Sequence, residues 1–217
     1  MKRYAVYYAP RPGGFANRAT GWLAGTQSLP GLPRPAGDLT TDARCYGFHG
    51  TIRAPFRPAE GVDHERIAAT VADLAARLTP VRCAGLLMEN LHGFIALTPQ
   101  GGEAAVLELG AMVVEGTDTL RAPLTAAEIA RRRPETLTSR QRTLLGIWGY
   151  PFVMEEFRFH LTLTDRLPDA EVAPVMAALD AHFEPVLPRP FVMEDLCLFG
   201  EDQGGAFHLL HRYALTG

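Results

Sequence analysis

The stretch Phe48-His49-Gly50-Thr51-Ile52 occurs a second time, with the same order of residue types, as Phe159-His160-Leu161-Thr162-Leu163. Each copy reads aromatic residue, histidine, variable residue, threonine, aliphatic residue. Both copies lie in short apolar runs between turn-forming residues, which is typical of β-strands. The histidines are 160 − 49 = 111 positions apart, about half of the 217 residues. This spacing predicts two related halves that face each other.

Strand periodicity predicts the direction of the motif side chains. In a β-strand, side chains at positions i and i+2 point to the same face. His49 and Thr51 are therefore expected to share one face of the first strand, and His160 and Thr162 one face of the second. The intervening residues are expected to face a core. Each strand would thus present one imidazole and one hydroxyl to a common cleft.

Composition excludes several functional classes. A chain of 217 residues can bury roughly 70% of its unfolded surface without a disulfide or metal. The net charge of −3 argues against binding of long nucleic acid, which requires a basic face. Three cysteines without a CxxC spacing predict reduced, mostly buried thiols in a cytoplasmic protein. The N-terminus lacks a signal-peptide pattern, and no apolar run reaches the ~18 residues of a membrane span.

The order of predicted elements is alike after each motif: helix, strand, turn, strand. We predict strands at 3–9, 45–54 and 156–164, helices at 63–78, 103–114 and 169–183, and hairpins within 81–98 and 191–215. The predicted fold class is α+β, a single two-lobed domain over 1–217 with antiparallel sheets flanked by helices and a cleft between pseudo-symmetric lobes. Residues 43–117 would form the first lobe, 118–150 a helical connector, and 151–217 the second lobe.

The segment 10–42 is rich in proline and glycine. We predict a long ordered loop with one helical turn near 19–24, of the kind that often serves as a lid or binding loop. Trp22 within it would either close over a substrate or anchor the packing of the loop.

Two imidazoles in one cleft suit acid–base chemistry near neutral pH, because the unperturbed pKa of histidine is about 6.5. Phosphoryl transfer between oxygens needs one proton removed and one supplied, and threonine hydroxyls can donate to the nonbridging oxygens. By alternation, Arg53 and Arg158 lie on the motif faces, and a guanidinium suits phosphate. The remaining histidines form no HExxH or Cys/His cluster. The predicted site therefore contains no metal and needs no cofactor.

Three tyrosines are further candidates for substrate contacts in the cleft: Tyr4, Tyr46 and Tyr150. The alternative for Tyr4 and Tyr46 is that they are ordinary strand aromatics. The run Arg131–Arg133 could form an anion patch, or a solvated helix end that offsets the helix dipole.

Longer strings around the motifs carry a family resemblance. Tyr46–Phe56, Trp148–Thr164 and the opening Arg3–Pro10 resemble a branch of the two-histidine (2H) phosphoesterase superfamily that is associated with phosphonate metabolism. The superfamily includes cyclic nucleotide phosphodiesterases and RNA 2′,5′-ligase-like proteins. The resemblance implies a pseudo-twofold α+β fold, with His49, Thr51, His160 and Thr162 as the catalytic set. Members of the branch often have Ala-Thr-Leu-Lys after the first histidine, where this chain has Gly-Thr-Ile-Arg.

The expected function is that of a metal-independent phosphoric diester hydrolase, a monomer acting on a small cyclic or diester phosphate. The resemblance implies a sugar phosphate from phosphonate breakdown, such as a ribosyl cyclic phosphate. One alternative is an enzyme that processes RNA 2′,3′-cyclic phosphate ends, since a short RNA end needs little basic surface. Another is a non-catalytic protein that binds a phosphorylated metabolite. The sequence leaves open which histidine is the acid and which the base.

Overall fold

The computed structural model of the chain describes residues 1–44 and 47–217 in full, and only the backbone of Cys45 and Tyr46. Its strands are β1 (Tyr4–Tyr8), β2 (Gly50–Phe56), β3 (Val81–Cys83), β4 (Gly85–Leu91), β5 (Phe94–Gln100), β6 (Leu161–Thr162), β7 (Phe191–Met193), β8 (Asp195–Glu201) and β9 (Phe207–Ala214). Its α-helices are α1 (Gly14–Leu23), α2 (Ala36–Leu39), α3 (His64–Arg77), α4 (Glu103–Thr117), α5 (Ala126–Arg131), α6 (Ser139–Trp148) and α7 (Asp169–Phe183).

The main sheet has seven strands in the order β4-β5-β6-β2-β1-β8-β9, and every neighbouring pair is antiparallel. A second sheet pairs β3 with β7. The predicted α+β class with antiparallel sheets is thereby confirmed. The two motif strands, β2 and β6, are direct neighbours near the centre of the main sheet.

The division into lobes at 43–117 and 151–217 stays a prediction, and the main sheet contains strands from both segments. The hairpin β4–β5 of the first half pairs with β6 of the second half. The hairpin β8–β9 of the second half pairs with β1, which lies beside β2 of the first half. The hairpins are exchanged between the halves because β2 and β6 pair with each other at the centre of the sheet. The hairpin β4–β5 therefore extends the sheet beyond β6, and the hairpin β8–β9 extends it beyond β1.

The core lies between one face of the main sheet and helices α3, α4 and α7. The apolar periodicity of α3 places Ile67, Val71 and Leu74 in this core. Asp63 caps the helix by accepting a hydrogen bond from the backbone N–H of Arg66 at 2.8 Å. The helices predicted near 63–78, 103–114 and 169–183 are all present. Amphipathic periodicity and an N-cap are the local signals of α3, whereas α4 and α7 begin without a side-chain cap.

The motif strands are shorter than predicted. A 3-10 helix at Ala43–Tyr46 comes before β2, which begins only at Gly50. The segment predicted as strand at 156–164 is regular only at Leu161–Thr162. Pro55 does not stop β2, since it falls where the register shifts between the Val6–Arg53 and Tyr4–Phe56 pairs. At such an irregularity a proline removes no ladder hydrogen bond.

The segment 10–42 contains the ten-residue helix α1 and the short helix α2, so the expectation of a loop with a single helical turn was wrong. Trp22 is completely buried, and its indole Nε1–H donates to the carbonyl of Leu163 at 2.7 Å. It is a packing anchor that fastens this segment to the end of the second motif. None of the described helices has the length and apolar character required to cross a bilayer.

Candidate active site

The motif residues face one another across the β2–β6 ladder. Gly50 of β2 is paired with Leu161 of β6 in antiparallel register. Continued by one residue on each side, this register sets His49 opposite Thr162 and Thr51 opposite His160. Directly opposed Cβ atoms lie about 4.5–5.5 Å apart, and diagonal neighbours such as the two histidines about 7–8 Å apart. The two imidazoles and two hydroxyls thus form a compact group on one face of the sheet.

The opposite face of these strands belongs to the core. Ile52, Phe159, Leu161 and Leu163 are all buried in the main apolar cluster. Since side chains alternate along a strand, this burial directs the histidines and threonines away from the core. The core face therefore fixes the orientation of the motif face.

The two imidazoles are oriented in the same way. Nδ1 of His49 lies 3.1 Å from the carbonyl oxygen of Gly47, and Nδ1 of His160 lies 2.8 Å from that of Arg158. A carbonyl can only accept, so Nδ1 carries the proton in each neutral ring. Nε2 is consequently the atom that takes up or releases a proton in both histidines. Gly47 has a φ of 70°, a left-handed conformation that glycine adopts without strain.

The surroundings of the two rings differ. The ring of Tyr7 stacks on His49 with centroids 4.0 Å apart and an interplanar angle of 23°. The ring of Phe94 is tilted by 53° against His160 at 5.5 Å. Burial lowers the pKa of His160 below its ordinary value, and the hydrogen bond to the Arg158 carbonyl offsets part of that shift. His160 is thereby favoured as a neutral base at neutral pH.

A cavity of about 440 Å³ opens beside His160 and Thr51. Its walls combine aromatic rings with a few polar groups, which is the usual character of a small-molecule site. Gln141 Nε2 donates to Glu156 at 2.9 Å, which fixes one polar corner of the cavity. The other lining residues are Ile52, Ala54, Leu91, His92, Phe94, Tyr150, Phe152, Val153, Phe157 and Arg158.

The structure corrects the expectation that Arg53 contacts phosphate. Arg53 is only 1% exposed. Its guanidinium donates hydrogen bonds to the carbonyl of Trp148 at 3.1 Å and to the carboxylate of Asp118 at 3.3 Å. Burial lowers the pKa of Arg53 to about 10, and the Asp118 carboxylate opposes that shift. Arg53 therefore ties β2 to the end of α6 instead of reaching the motif face.

Arg158 is exposed and lines the cavity, and its guanidinium donates to the backbone carbonyls of Glu155 and Phe157 at 2.9 and 2.7 Å. Its place in the cavity wall agrees with the expected phosphate contact, which stays a prediction.

The three candidate tyrosines differ in position. Tyr150 lines the cavity, and burial raises the pKa of its hydroxyl, which stays protonated at neutral pH. The guanidinium of Arg132 lies 4.7 Å from the Tyr150 ring centroid, so Arg132 is more than a solvated helix end. Tyr4 lies in the core cluster on the opposite face of the sheet and stacks on His64, so its expected cleft contact was wrong. The side chain of Tyr46 is outside the described residues.

Sequence reasoning missed Tyr7, Phe94 and the Gln141–Glu156 pair. The run Tyr4–Tyr8 is apolar throughout, and alternation cannot tell which of its faces is the core without the register of β1 on β2. Phe94 follows the β4–β5 turn, and only the pairing of β5 with β6 brings it to His160. The predicted burial of Cys83 and Cys197 is confirmed, whereas the side chain of Cys45 is not described.

Among the side chains that the structure describes, no group of three or more His, Cys, Asp or Glu residues could hold a metal ion. Metal independence remains a prediction, which chelation tests directly.

Comparison with known proteins places the chain in a family. A family model described as "Protein of unknown function (DUF1045)" matches residues 51–208. The chain belongs to the DUF1045 family. The matched range contains the second His-x-Thr motif and begins at the threonine of the first.

Two curated relatives bear the name "Ribose 1,5-bisphosphate phosphokinase PhnN". The protein from Janthinobacterium sp. (strain Marseille) is 34% identical over 95% of this chain and 49% of its own length. The protein from Laribacter hongkongensis (strain HLHK9) is 35% identical over 97% of this chain and 51% of its own length. The chain thus spans about half the length of the curated relatives that it matches.

Similarity to solved structures was found over the whole chain. TT0787 of Thermus thermophilus aligns over 99% of this chain and 98% of its own, at 15% identity and a TM-score of 0.50. E. coli LigT, crystallised with phosphate, aligns over 100% of this chain and 98% of its own, at 13% identity and a TM-score of 0.46. The comparisons thus show membership of the DUF1045 family and a fold shared with TT0787.

Proposed function

We propose that this DUF1045 chain is a phosphoesterase that hydrolyses a small cyclic or diester phosphate, with His49 and His160 as its acid–base pair. The observation that carries the proposal is the register of the β2–β6 ladder. It gathers two His-x-Thr motifs on one face of one sheet, with both rings held through Nδ1. An isolated His-x-Thr is common in strands, but two matched copies in one cluster have the symmetry that in-line phosphoryl transfer uses.

In the proposed reaction a water oxygen attacks phosphorus and one ester P–O bond breaks. One imidazole takes the proton of the attacking water at Nε2, and the other gives a proton from Nε2 to the leaving oxygen. The hydroxyls of Thr51 and Thr162 donate to nonbridging oxygens as negative charge develops there. Each proton transfer contributes about 10²–10⁴ to the rate.

The names of the relatives support a sugar phosphate as substrate, such as a ribosyl cyclic phosphate. They also name a phosphokinase, and this chain lacks a P-loop, one of the motifs by which such enzymes bind phosphates. A P-loop requires the sequence Gly-Lys-Ser/Thr, yet Lys2 is the sole lysine of the 217 residues. We assign the kinase activity to the other half of those proteins, and the esterase chemistry to the half that this chain resembles.

Hydrolysis is expected to persist in EDTA, because two imidazoles and two hydroxyls supply the proton transfers and charge stabilisation without a Lewis acid. The measurement is a panel of cyclic phosphates, both sugar and nucleoside, assayed with and without chelator. Activity that disappears with EDTA and returns with a divalent cation contradicts the metal-free mechanism.

The acid limb of the pH–rate profile is expected below pH 6.5. If His160 is the base, it must be neutral, and kcat/KM falls as the pH drops through its pKa in the free enzyme. Burial lowers that pKa from 6.5, so the loss shifts to more acidic pH. An acid limb at or above pH 6.5, measured as kcat/KM across pH 4–9, would show that His160 is not the base.

One observation favours a second candidate, the processing of RNA 2′,3′-cyclic phosphate ends. Phe94, Tyr150 and Phe152 supply aromatic rings to the cavity wall, and nucleobases stack on such rings. A steep fall of oligonucleotide affinity with salt would support this candidate, since each phosphate contact releases counterions. A salt-independent preference for mononucleosides or sugars would exclude it.

A further inference from the structure

Tyr7 occupies a defined place beside the motif group. It lies in β1 and pairs with Thr51 of β2 in the backbone register. Its ring covers His49 in a nearly parallel stack at 4.0 Å, which is a close face-to-face contact for two rings. The ring contact of Phe94 with His160, at 5.5 Å, is looser.

The Tyr7 ring is itself held in place. It is 2% exposed and belongs to a small apolar cluster with Ala5, Cys197 and Phe199 on the same face of the sheet. The rings of Phe199 and Phe207 are tilted against it at 5.0 and 6.1 Å. The hairpin β8–β9 thus supports Tyr7 from one side, and Tyr7 supports His49 on the other.

His49 gains from such support because it precedes the regular part of its strand, which begins at Gly50. The contacts that orient its ring include the Nδ1 hydrogen bond to the Gly47 carbonyl and the stack on Tyr7. The hydrogen bond fixes one edge of the imidazole, and the stack fixes its plane. Misplacement of a reacting group by about 1 Å costs about 10²-fold in rate, so a ring that fixes the imidazole plane influences the chemical step.

We propose that Tyr7 is a positioning residue for His49: its ring, clamped by Phe199 and Phe207, fixes the plane of the imidazole so that Nε2 faces the phosphoryl group. The inference rests on the proposed function, but it concerns the stack and can be tested without turnover. The proposal assigns this role to the aromatic ring of Tyr7, which can be retained or removed by substitution.

The kinetic test compares Tyr7→Phe with Tyr7→Leu. The phenylalanine variant keeps the ring and is expected to retain kcat within about twofold. The leucine variant removes it and is expected to lose about 10- to 100-fold in kcat, with KM changed less than threefold. Tyr213→Leu, which removes a tyrosine ring 4.3 Å from that of His211 on β9, is the matched control and is expected to retain kcat. Equal kcat for both Tyr7 variants, or a loss in Tyr7→Phe as large as in Tyr7→Leu, overturns the proposal.

A second measurement uses the unaltered protein and is independent of catalysis. Stacking at 4.0 Å predicts that the imidazole carbon-bound protons of His49 resonate upfield of those of His160, because they lie over the Tyr7 ring. Assignment uses His49→Gln and His160→Gln variants. The absence of an upfield shift overturns the stack itself. A shift in a protein without esterase activity retains the stack and refutes the proposed function instead.

Discussion

Replacing either His49 or His160 by alanine is expected to lower kcat/KM by about 10²–10⁴-fold, and the double replacement little further. Each imidazole carries one proton transfer, and each transfer is typically worth that factor. Groups that act as one unit lose most of their contribution with the first replacement. The measurement is steady-state hydrolysis of the best substrate from the cyclic phosphate panel, with the four proteins compared at equal folded concentration.

The matched control is His211→Ala. His211 is an exposed histidine on β9, at the edge of the sheet, and is expected to keep full activity. If either motif variant keeps a near-normal rate, the paired mechanism is wrong. If no substrate is turned over by the unaltered protein and His49→Ala weakens the binding of a phosphorylated ligand, the chain is a binding protein instead of an enzyme.

Gly50→Ala is expected to destabilise the fold by about 1–3 kcal/mol, the usual cost of inserting a methyl group into a filled space. A Cβ at position 50 would lie 2.3 Å from Cζ and 2.4 Å from Cε2 of Phe159, and 3.2 Å from Leu161. Phe159 directly precedes His160, so relief of this overlap moves the second motif against the first. The expected Tm decrease is about 2–4 °C per kcal/mol for a chain of this size, together with a lower kcat.

The rescue and the control are both available in this chain. Gly50→Ala combined with Phe159→Leu removes the ring that occupies the space, and is expected to recover part of the lost stability. Gly146→Ala, in α6, places its Cβ where no atom lies within 4 Å, and is expected to be neutral or stabilising by about 0.5–1 kcal/mol. A Gly50→Ala protein with unchanged Tm and unchanged kcat would mean that the Phe159 ring does not pack against position 50.

The contrast between Arg53 and Arg158 shows how far sequence reasoning extends. Alternation predicted that both guanidinium groups accompany the motif histidines. Arg158 does line the cavity. The guanidinium of Arg53 instead donates hydrogen bonds to the connector, at the carbonyl of Trp148 and the carboxylate of Asp118. A register shift between the Tyr7–Thr51 and Val6–Arg53 pairs interrupts the alternation, so Arg53 lies opposite the core residue Val6 and not on the side of Thr51. No local pattern in the sequence of β2 predicts that shift.

The sequence by itself determined the core-facing residues that flank the motif histidines, the three long helices and the matched pair of His-x-Thr motifs. These features depend on residues only two, three or four positions apart, so each short segment can be interpreted without the rest of the chain. Only the tertiary structure decided that β2 and β6 are neighbours, that the hairpins are exchanged between the halves, and that Tyr7 covers His49 while Tyr4 faces the core. Those outcomes depend on the register between strands distant in sequence, which is set by the packing of the whole sheet on its helices.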